Sequence, residues 1–397
     1  MNSIRNQAQQ ILFILLGVFI PTSIAISNFL IIGLVLCWIL EGNFLKKINQ
    51  IKESKWMLSI FGLIGLYALG LCWGDNHLNA EWQFQRLALL LVFPVLMTMN
   101  LKQETIKRAI FVFLGTAFIS ALAAIAINSN IINPLGEYFS FIGIEDNSAF
   151  IKYNYHNVIL ALAFSLCLYI LIEKKSKYQY LLLFFLLIYA LSIFTEPGRA
   201  GQVIFNLSAV FYIFYYNSKN FLRLCAFFLL LFSFQFVIYS STNVYKDRFD
   251  AVSNIIQNNG DRGKGKPHDI RYVFIKESLK RIIEKPILGY GTGSFGTIFN
   301  AEVDSLHRYN LPPEPRGTPH NQYLYVWFEL GILGLVLLLL ILYHQLKELF
   351  RKKDGIHRVL LPLSFMFLML VDSYFFIFIL TICYMFLYTI YSRYQQE

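Results

Sequence analysis

The stretch PRGTPHNQYLYVWFELGILGL, Pro315–Leu335, passes without interruption from a proline-rich polar segment into an apolar run. That run is predicted to form a membrane span over 321–344, because about 20 consecutive apolar residues are enough for a helix to cross a bilayer. His320 therefore stands at the boundary between water and lipid, where an imidazole can exchange a proton near neutral pH.

The composition extends this interpretation to the whole chain. Of 397 residues, 56% are hydrophobic and only 15% are charged, which excludes an ordinary soluble domain. Apolar runs recur throughout and predict an all-α integral membrane protein with about twelve transmembrane helices. The predicted spans are 8–20, 24–40, 56–73, 83–99, 107–128, 157–172, 179–196, 201–217, 221–240, 321–344, 357–371 and 373–392. The first of these is expected to remain as an uncleaved helix.

Lysine and arginine predict the orientation. A cytoplasmic N-terminus sends the basic loops near 46–55, 102–108, 174–177, 219–223 and 351–358 to the cytoplasm, as the positive-inside rule requires. Both termini are then cytoplasmic, and segments near 74–82, 129–155 and 239–319 lie outside. The predicted organisation is nine helices in 1–240, a large periplasmic loop in 241–319, and three helices in 320–397. The functional surface should be external.

The long loop has its own pattern. HDIRYVFIKESLKRIIEKP spaces apolar residues among charges and predicts an amphipathic helix that stops at Pro286. ILGYGTGSFG follows, where Gly289, Gly291 and Gly293 permit positive φ angles or close backbone approach. No strand is predicted before these glycines, so they do not form a dinucleotide-binding motif.

Two cationic residues suggest chemistry at the outer face. Arg199, in FTEPGRAGQ, lies between two apolar runs, where a guanidinium needs an anionic partner. That partner is either Glu196 or the phosphate of a ligand, because guanidinium donors match phosphate oxygens in pairs. Arg271 lies on the predicted amphipathic helix and, taken alone, reads as an ordinary solvated charge.

The role of His320 also has two possible interpretations. This residue either binds a loop carbonyl at the helix start or exchanges a proton with a substrate, and Asn321 is a helix-start residue in both cases. Arg86, His156 and Asn157 converge on the same face. Together with Asn321, they are possible substrate-binding residues.

Metal and thiol chemistry receive little support. The five cysteines lie inside apolar runs without metal-ligand spacing, and the sequence contains neither HExxH nor GxSxG. The acidic pair Glu302 and Asp304 is too short a motif to predict a metal site. We expect no metal and no cofactor.

These motifs, in this order, resemble the bacterial O-antigen ligase and O-antigen polymerase superfamily of polytopic glycosyltransferases. The resemblance runs through EPGRAGQ, DIRYVFIKESLKRIIEKPILGYGTGSF and HNQYLYVWFELGILG, roughly from Asn157 to Tyr343. Its most specific part is the spacing of His320, Asn321 and Leu324 before Gly331 and Gly334. The first spans match only in hydropathy.

The resemblance implies glycan transfer on the periplasmic face of the bacterial inner membrane, from an undecaprenyl-diphosphate-linked donor to a lipid A-core acceptor, without a metal ion. By carry-over, Arg199 and Arg271 would hold the donor diphosphate, and His320 would take the proton of the acceptor hydroxyl. Fixed guanidinium groups stabilise charge that grows on a leaving diphosphate, and single displacement inverts the anomeric centre.

The sequence departs from the family pattern in two places. Pro197 and Gly198 precede Arg199, where a Ser-Arg pair is expected. The loop also contains further arginines that compete for the diphosphate role: Arg248, Arg262, Arg308 and Arg316. Arg316 is therefore also a possible substrate-binding residue.

Three functions remain open at this point. A ligase moves a finished polysaccharide to lipid A-core, and a polymerase joins repeat units on the lipid carrier. A transporter of polyprenyl lipids or small molecules would instead bury charged residues midway along several spans. The motifs favour the ligase.

Overall fold

The computed structural model describes residues 2–74, 77–134, 149–173, 178–241, 270–306 and 317–395. All regular secondary structure in these ranges is helical, as the sequence predicts. The helices are α1 Asn2–Phe19, α2 Ile24–Glu41, α3 Phe44–Glu53, α4 Lys55–Leu69, α5 His77–Leu90, α6 Val92–Thr98, α7 Gln103–Asn128, α8 Tyr153–Glu173, α9 Gln179–Thr195, α10 Arg199–Asn217, α11 Phe221–Ser241, α12 Ile270–Glu284, α13 Ser294–Leu306, α14 Gln322–Phe350, α15 Gly355–Arg358, α16 Leu360–Leu368 and α17 Phe378–Arg393.

The apolar helices confirm a multi-pass membrane protein. Within the described ranges, six helices are long and apolar enough to cross a bilayer: Ile24–Glu41, Lys55–Cys72, Gln103–Asn128, Tyr153–Ile172, Phe221–Ser241 and Gln322–Phe350. Shorter apolar helices cover Asn6–Phe19, Gln179–Thr195, Gly355–Leu368 and Phe378–Arg393. The number twelve and the orientation of the termini stay predictions.

One predicted span is divided. The segment 83–99 forms α5 and α6, which are separated at Leu91. Pro94 has no amide hydrogen, so it cannot donate to a carbonyl one turn earlier, and it is tolerated only in the first turn of a new helix. α5 therefore ends at Leu90, before α6 begins as a separate helix. Arg86 lies near the middle of α5.

The centre of the bundle is α17. Every residue from Ile379 to Ser392 is buried, and α17 contacts α5, α6, α7, α8 and α16. α11 differs from α17 in burial. Ile238 is the one buried residue of α11, and its other apolar side chains face outward. A helix that is apolar all round belongs either in a core or in lipid, and the two helices illustrate both outcomes.

Two arginines close the end of the bundle where α17 stops. Arg358 donates to the carbonyls of Tyr391 and Tyr394, the second at 2.9 Å, and Arg393 donates to the carbonyl of Met99 at 2.6 Å. Charge-assisted bonds of this kind satisfy carbonyls that a helix end leaves without partners. These cations are structural, and the site described next lies at the other end.

Candidate functional site

His320 lies directly before Asn321, the N-cap of α14, and pairs with a carboxylate. Its Nδ1 lies 3.0 Å from Oδ1 of Asp372, and the same oxygen accepts the amide of Ser373 at 2.7 Å. The side chains of His320 and Asp372 are 39% and 28% exposed, so the pair is open to solvent. An ionised Asp372 fixes the proton on Nδ1, which leaves Nε2 as the basic nitrogen.

The backbone holds His320 in an unusual conformation. Its φ angle is +50°, in the left-handed region that residues other than glycine rarely adopt. Asn321 fixes this geometry from both sides: its Oδ1 accepts the amide of Leu324 and its Nδ2 donates to the carbonyl of Leu370, each at 3.0 Å. The prediction that Asn321 caps the helix is confirmed. Strained backbone of this kind is frequent at functional sites.

Gln322 ties the start of α14 to the segment that contains Asp372. Its amide donates to the carbonyl of Met369 at 2.8 Å, and its Oε1 accepts the amide of Phe375 at 3.2 Å. The segment 369–375 is therefore held at both ends against α14. This arrangement sets the distance between His320 and Asp372.

Two of the predicted arginines approach the same segment. Arg86 donates from Nη1 to the carbonyl of Phe376 at 2.7 Å, and it lies within electrostatic reach of Asp372. Arg271 and Asp372 both lie within electrostatic reach of the Tyr374 phenol. Arg271 is exposed at the start of α12, so its guanidinium is accessible to a ligand.

The predicted amphipathic helix is confirmed as α12. The segment with Gly289, Gly291 and Gly293 that follows it, here called the glycine turn, binds α14. Gly331 has a φ of +64° and kinks α14. The carbonyls of Phe328 and Glu329 accept the amides of Tyr290 and Gly291 at 2.9 and 2.8 Å. A Cβ on Gly331 would lie 1.9 Å from the carbonyl oxygen of Ile287. The two glycine motifs thus form one structural unit.

Glu329 was not among the residues predicted from the sequence. This residue is completely buried in α14, where its carboxylate accepts a short bond from Nε2 of Gln83 and the amide of Phe295 at 3.4 Å. Gln83 lies one turn before Arg86, and Phe295 lies at the start of α13. Glu329 therefore joins three elements around the site. The sequence contains one signal that could have identified it, because Glu329 is an acidic residue inside an apolar run, nine positions after His320.

His156 and Asn157 lie inside the helix packing. His156 contacts Oε1 of Glu196 through Nδ1 at 2.6 Å and Oγ of Ser120 through Nε2 at 2.7 Å. Asn157 is fully buried and donates from Nδ2 to the carbonyl of Ile193 at 2.8 Å. Both residues stabilise the start of α8 and do not present an exposed surface to a substrate.

Arg199 is the first residue of α10 and is half-buried. Gly198 and Gly201 on either side pack directly on Asn157, where a Cβ on Gly201 would lie 2.0 Å from Oδ1 of Asn157. The PGRAG sequence is therefore explained by close packing of α10 on α8, which fixes the position of Arg199. Glu196, which the sequence offered as a partner for Arg199, binds His156.

The described residues bring Arg86, Arg271, Asn321 and His320 together around the segment 372–376. Tyr155, next to His156, lies within electrostatic reach of Arg86 and extends the site toward α8. Arg248, Arg262, Arg308 and Arg316 lie outside the described residues. Among the described histidines, cysteines and carboxylates, no group of three is close enough to hold a metal ion.

Two clefts lead away from this site. One, of about 280 Å³, includes Arg86 and Tyr155 in its lining, and the other, of about 400 Å³, lies between α2 and α5. They share the lining residues Gln85, Leu89 and Phe378, so they adjoin each other. Along α2 the lining is mainly apolar and descends from Ile24 to Leu36.

Comparison with known proteins supports the resemblance. Residues 186–339 match a family model described as O-Antigen ligase. This range includes Arg199, Arg271 and His320, whereas Arg86 precedes it and Asp372 follows it. The match covers the glycine turn and α14 as far as residue 339, which includes its kink at Gly331.

Three relatives come from Rickettsia, and each is named "Putative polysaccharide ligase". The protein of Rickettsia conorii is 29% identical over 195 residues, which cover 48% of this chain and 44% of the relative. Those of Rickettsia typhi and Rickettsia prowazekii are 40% identical over 87 residues and 46% identical over 72, or 21% and 17% of each chain. The matched segments thus span less than half of each relative. The resemblance to the O-antigen ligase superfamily is confirmed.

Proposed function

We propose that this protein is an O-antigen ligase, which transfers a polysaccharide from undecaprenyl diphosphate to a sugar hydroxyl of lipid A-core. The observation that carries the proposal is the open pair of His320 and Asp372 at the start of the kinked helix, with Arg86 and Arg271 beside it. The family match and the names of the relatives support the polysaccharide ligase class.

The chemistry follows from this arrangement. Nε2 of His320 takes the proton of the acceptor hydroxyl while that oxygen bonds to the anomeric carbon of the donor sugar. The bond between that carbon and the diphosphate oxygen breaks, and its electron pair stays on the diphosphate. Attack from the opposite face inverts the anomeric centre. Asp372 stabilises the imidazolium that forms, as a carboxylate does in a hydrolase triad.

The leaving diphosphate needs positive charge, because its negative charge grows as the bond breaks. We assign this role to Arg199 and Arg271, and Arg86 is a third cation near the same segment. Guanidinium groups offer paired donors to phosphate oxygens and supply charge without a metal ion.

The two adjoining clefts beside α2 and α5 support a lipid-linked donor. Their upper end contains Arg86 and their lower part is mainly apolar, so they match an amphiphile with an anionic head and a hydrocarbon tail. In this proposal the diphosphate lies near Arg86 and the polyprenyl chain descends along α2. The positive-inside pattern supports a reaction on the periplasmic face of the inner membrane.

Purified protein in lipid nanodiscs, given an undecaprenyl-diphosphate-linked glycan and lipid A-core, tests the proposal. We expect glycan transfer that persists in the presence of a metal chelator and is lost in His320→Ala. Movement of the donor lipid between leaflets without any transfer would favour the transporter reading instead.

A gene deletion separates a ligase from a polymerase. Full-length chains that accumulate on undecaprenyl carriers are expected for the loss of a ligase. Lipid A-core that carries a single repeat unit would indicate a polymerase and overturn the specific proposal, while leaving glycan transfer intact.

A further inference from the structure

The end of the bundle opposite His320 contains a second polar cavity, of about 470 Å³, where the start of α4 meets the end of α14. Lys55, Lys347, Arg351 and Lys352 contribute four cationic side chains to its lining, and Glu53 and Glu348 contribute two carboxylates. The lining is thus positive by two charges. The charge pattern of the sequence predicts that this end faces the cytoplasm.

The cations are available to a ligand. Among the described residues, none of Lys55, Lys347, Arg351 and Lys352 forms a salt bridge. Glu348 is occupied elsewhere, because its Oε2 accepts the indole Nε1–H of Trp56 at 2.6 Å. The cavity therefore has more positive charge than its own carboxylates neutralise.

A helix start adds to this positive charge. Ser54 lies at the N-cap of α4, makes no side-chain capping bond, and has a buried Oγ without a hydrogen-bond partner in the described structure. The first amides of a 15-residue helix such as α4 lack partners within the helix and carry the positive end of its dipole. A phosphate group would satisfy the amides and the hydroxyl together.

Apolar surface adjoins the cavity on both helices. Leu58 on α4 is 46% exposed and Tyr343 on α14 is 53% exposed, each about one turn from the cations toward the middle of its span. A soluble anion would not use such a surface, whereas the acyl chains of a phospholipid would cover it.

We infer that this cavity binds the phosphate of an anionic phospholipid headgroup from the cytoplasmic leaflet. The inference does not depend on the proposed transfer reaction, because the cavity and the site lie at opposite ends of α4 and α14. A bound lipid would anchor both helices, and the other ends of these helices hold the glycine turn.

Native mass spectrometry of the full chain, released from vesicles of phosphatidylcholine and phosphatidylglycerol, tests this inference. We expect retained phosphatidylglycerol, with roughly fivefold weaker retention for each cation removed in Lys55→Gln/Arg351→Gln. The matched control is Lys46→Gln/Lys52→Gln, which removes two exposed charges from α3 on the same side. This control should retain the lipid like the unmodified protein.

Equal loss of lipid in both double variants would overturn the inference, because it would indicate general surface attraction. Thermal unfolding with sodium phosphate in place of the lipid separates the two sources of phosphate. Stabilisation by inorganic phosphate alone would show a site for a soluble anion and would also overturn it. Arg351→Gln alone provides a milder variant if the double variant does not fold, and it should still lose lipid.

Discussion

The described residues include two histidine–carboxylate pairs that differ in what surrounds them. In the pair of His156 and Glu196, the side chains are 1% and 4% exposed, and Ser120 contacts the second ring nitrogen. In the pair of His320 and Asp372, the side chains are 39% and 28% exposed, and Nε2 has no hydrogen bond within the described residues. The first pair has both ring nitrogens occupied, as in a structural element, and the second has one open ring nitrogen, as the proposed reaction requires.

This difference shows that residue type and spacing do not identify a catalytic histidine. Both histidines precede or begin an apolar helix, and both are followed by asparagine. What separates them is whether the second nitrogen is occupied, which depends on neighbours far away in the chain. Five substitutions test this comparison and the charges that surround the open pair.

The largest effect is expected for His320→Ala. Loss of a general base should reduce the rate of glycan transfer by about 10²- to 10⁴-fold, while thermal unfolding changes little because the side chain is partly exposed. The control is His344→Ala, at the far end of α14, which should keep full activity. Full activity of His320→Ala would refute its role as a base.

The next largest effects on the rate of transfer are expected for Arg199→Ala and Arg271→Ala. If each holds the donor diphosphate, its loss should reduce transfer by about 10²- to 10³-fold, the usual effect of removing one donor to a developing anion. The control is Arg281→Ala on the same helix as Arg271, where the guanidinium binds Glu284 at 2.9 Å. Wild-type rates for both Arg199→Ala and Arg271→Ala would remove the diphosphate assignment.

His156→Ala should change stability in preference to chemistry. It leaves the buried carboxylate of Glu196 without its closest partner, which should lower the free energy of unfolding by about 1–3 kcal/mol. Thermal unfolding in detergent measures this effect, and the folded fraction should retain its specific activity. A stable but inactive His156→Ala would show that this sealed pair takes part in the reaction.

Among the variants expected to slow transfer, Asp372→Asn should have the smallest effect. The amide oxygen still accepts the Nδ1–H of His320, but it does not stabilise the imidazolium, so we expect at least about a tenfold loss in rate. The pH profile of transfer should shift as well, whereas the profile of Glu196→Gln should not. Unchanged activity and pH profile in Asp372→Asn would show that Asp372 does not orient His320.

Part of the site was predictable because it depends on local sequence patterns. The apolar run after His320 predicts a helix, Asn321 predicts its cap, and the charge pattern of 268–286 predicts the amphipathic helix that bears Arg271. The glycines at 289, 291 and 293 predict positive φ angles, and all three have them. In each case the cause lies within a few residues of the effect.

Asp372 shows where local patterns stop. The sequence marks it only as a charge between two predicted spans, 52 positions after His320. Asp372 lies beside His320 because Gln322 and Asn321 bind carbonyls and amides of the segment 369–375 and hold it against α14. Glu329 was missed for the same reason, since its partners are on α5 and α13.

The sequence by itself determined that this is an all-helical, multi-pass membrane protein, because apolar length and helical period are properties of contiguous residues. It also determined the family resemblance through ordered motifs. The tertiary structure decided which histidine is open, that Gly331 kinks α14 to receive the glycine turn, and that Gly198 and Gly201 pack on Asn157. These outcomes depend on contacts between distant segments, which only the packed bundle brings together.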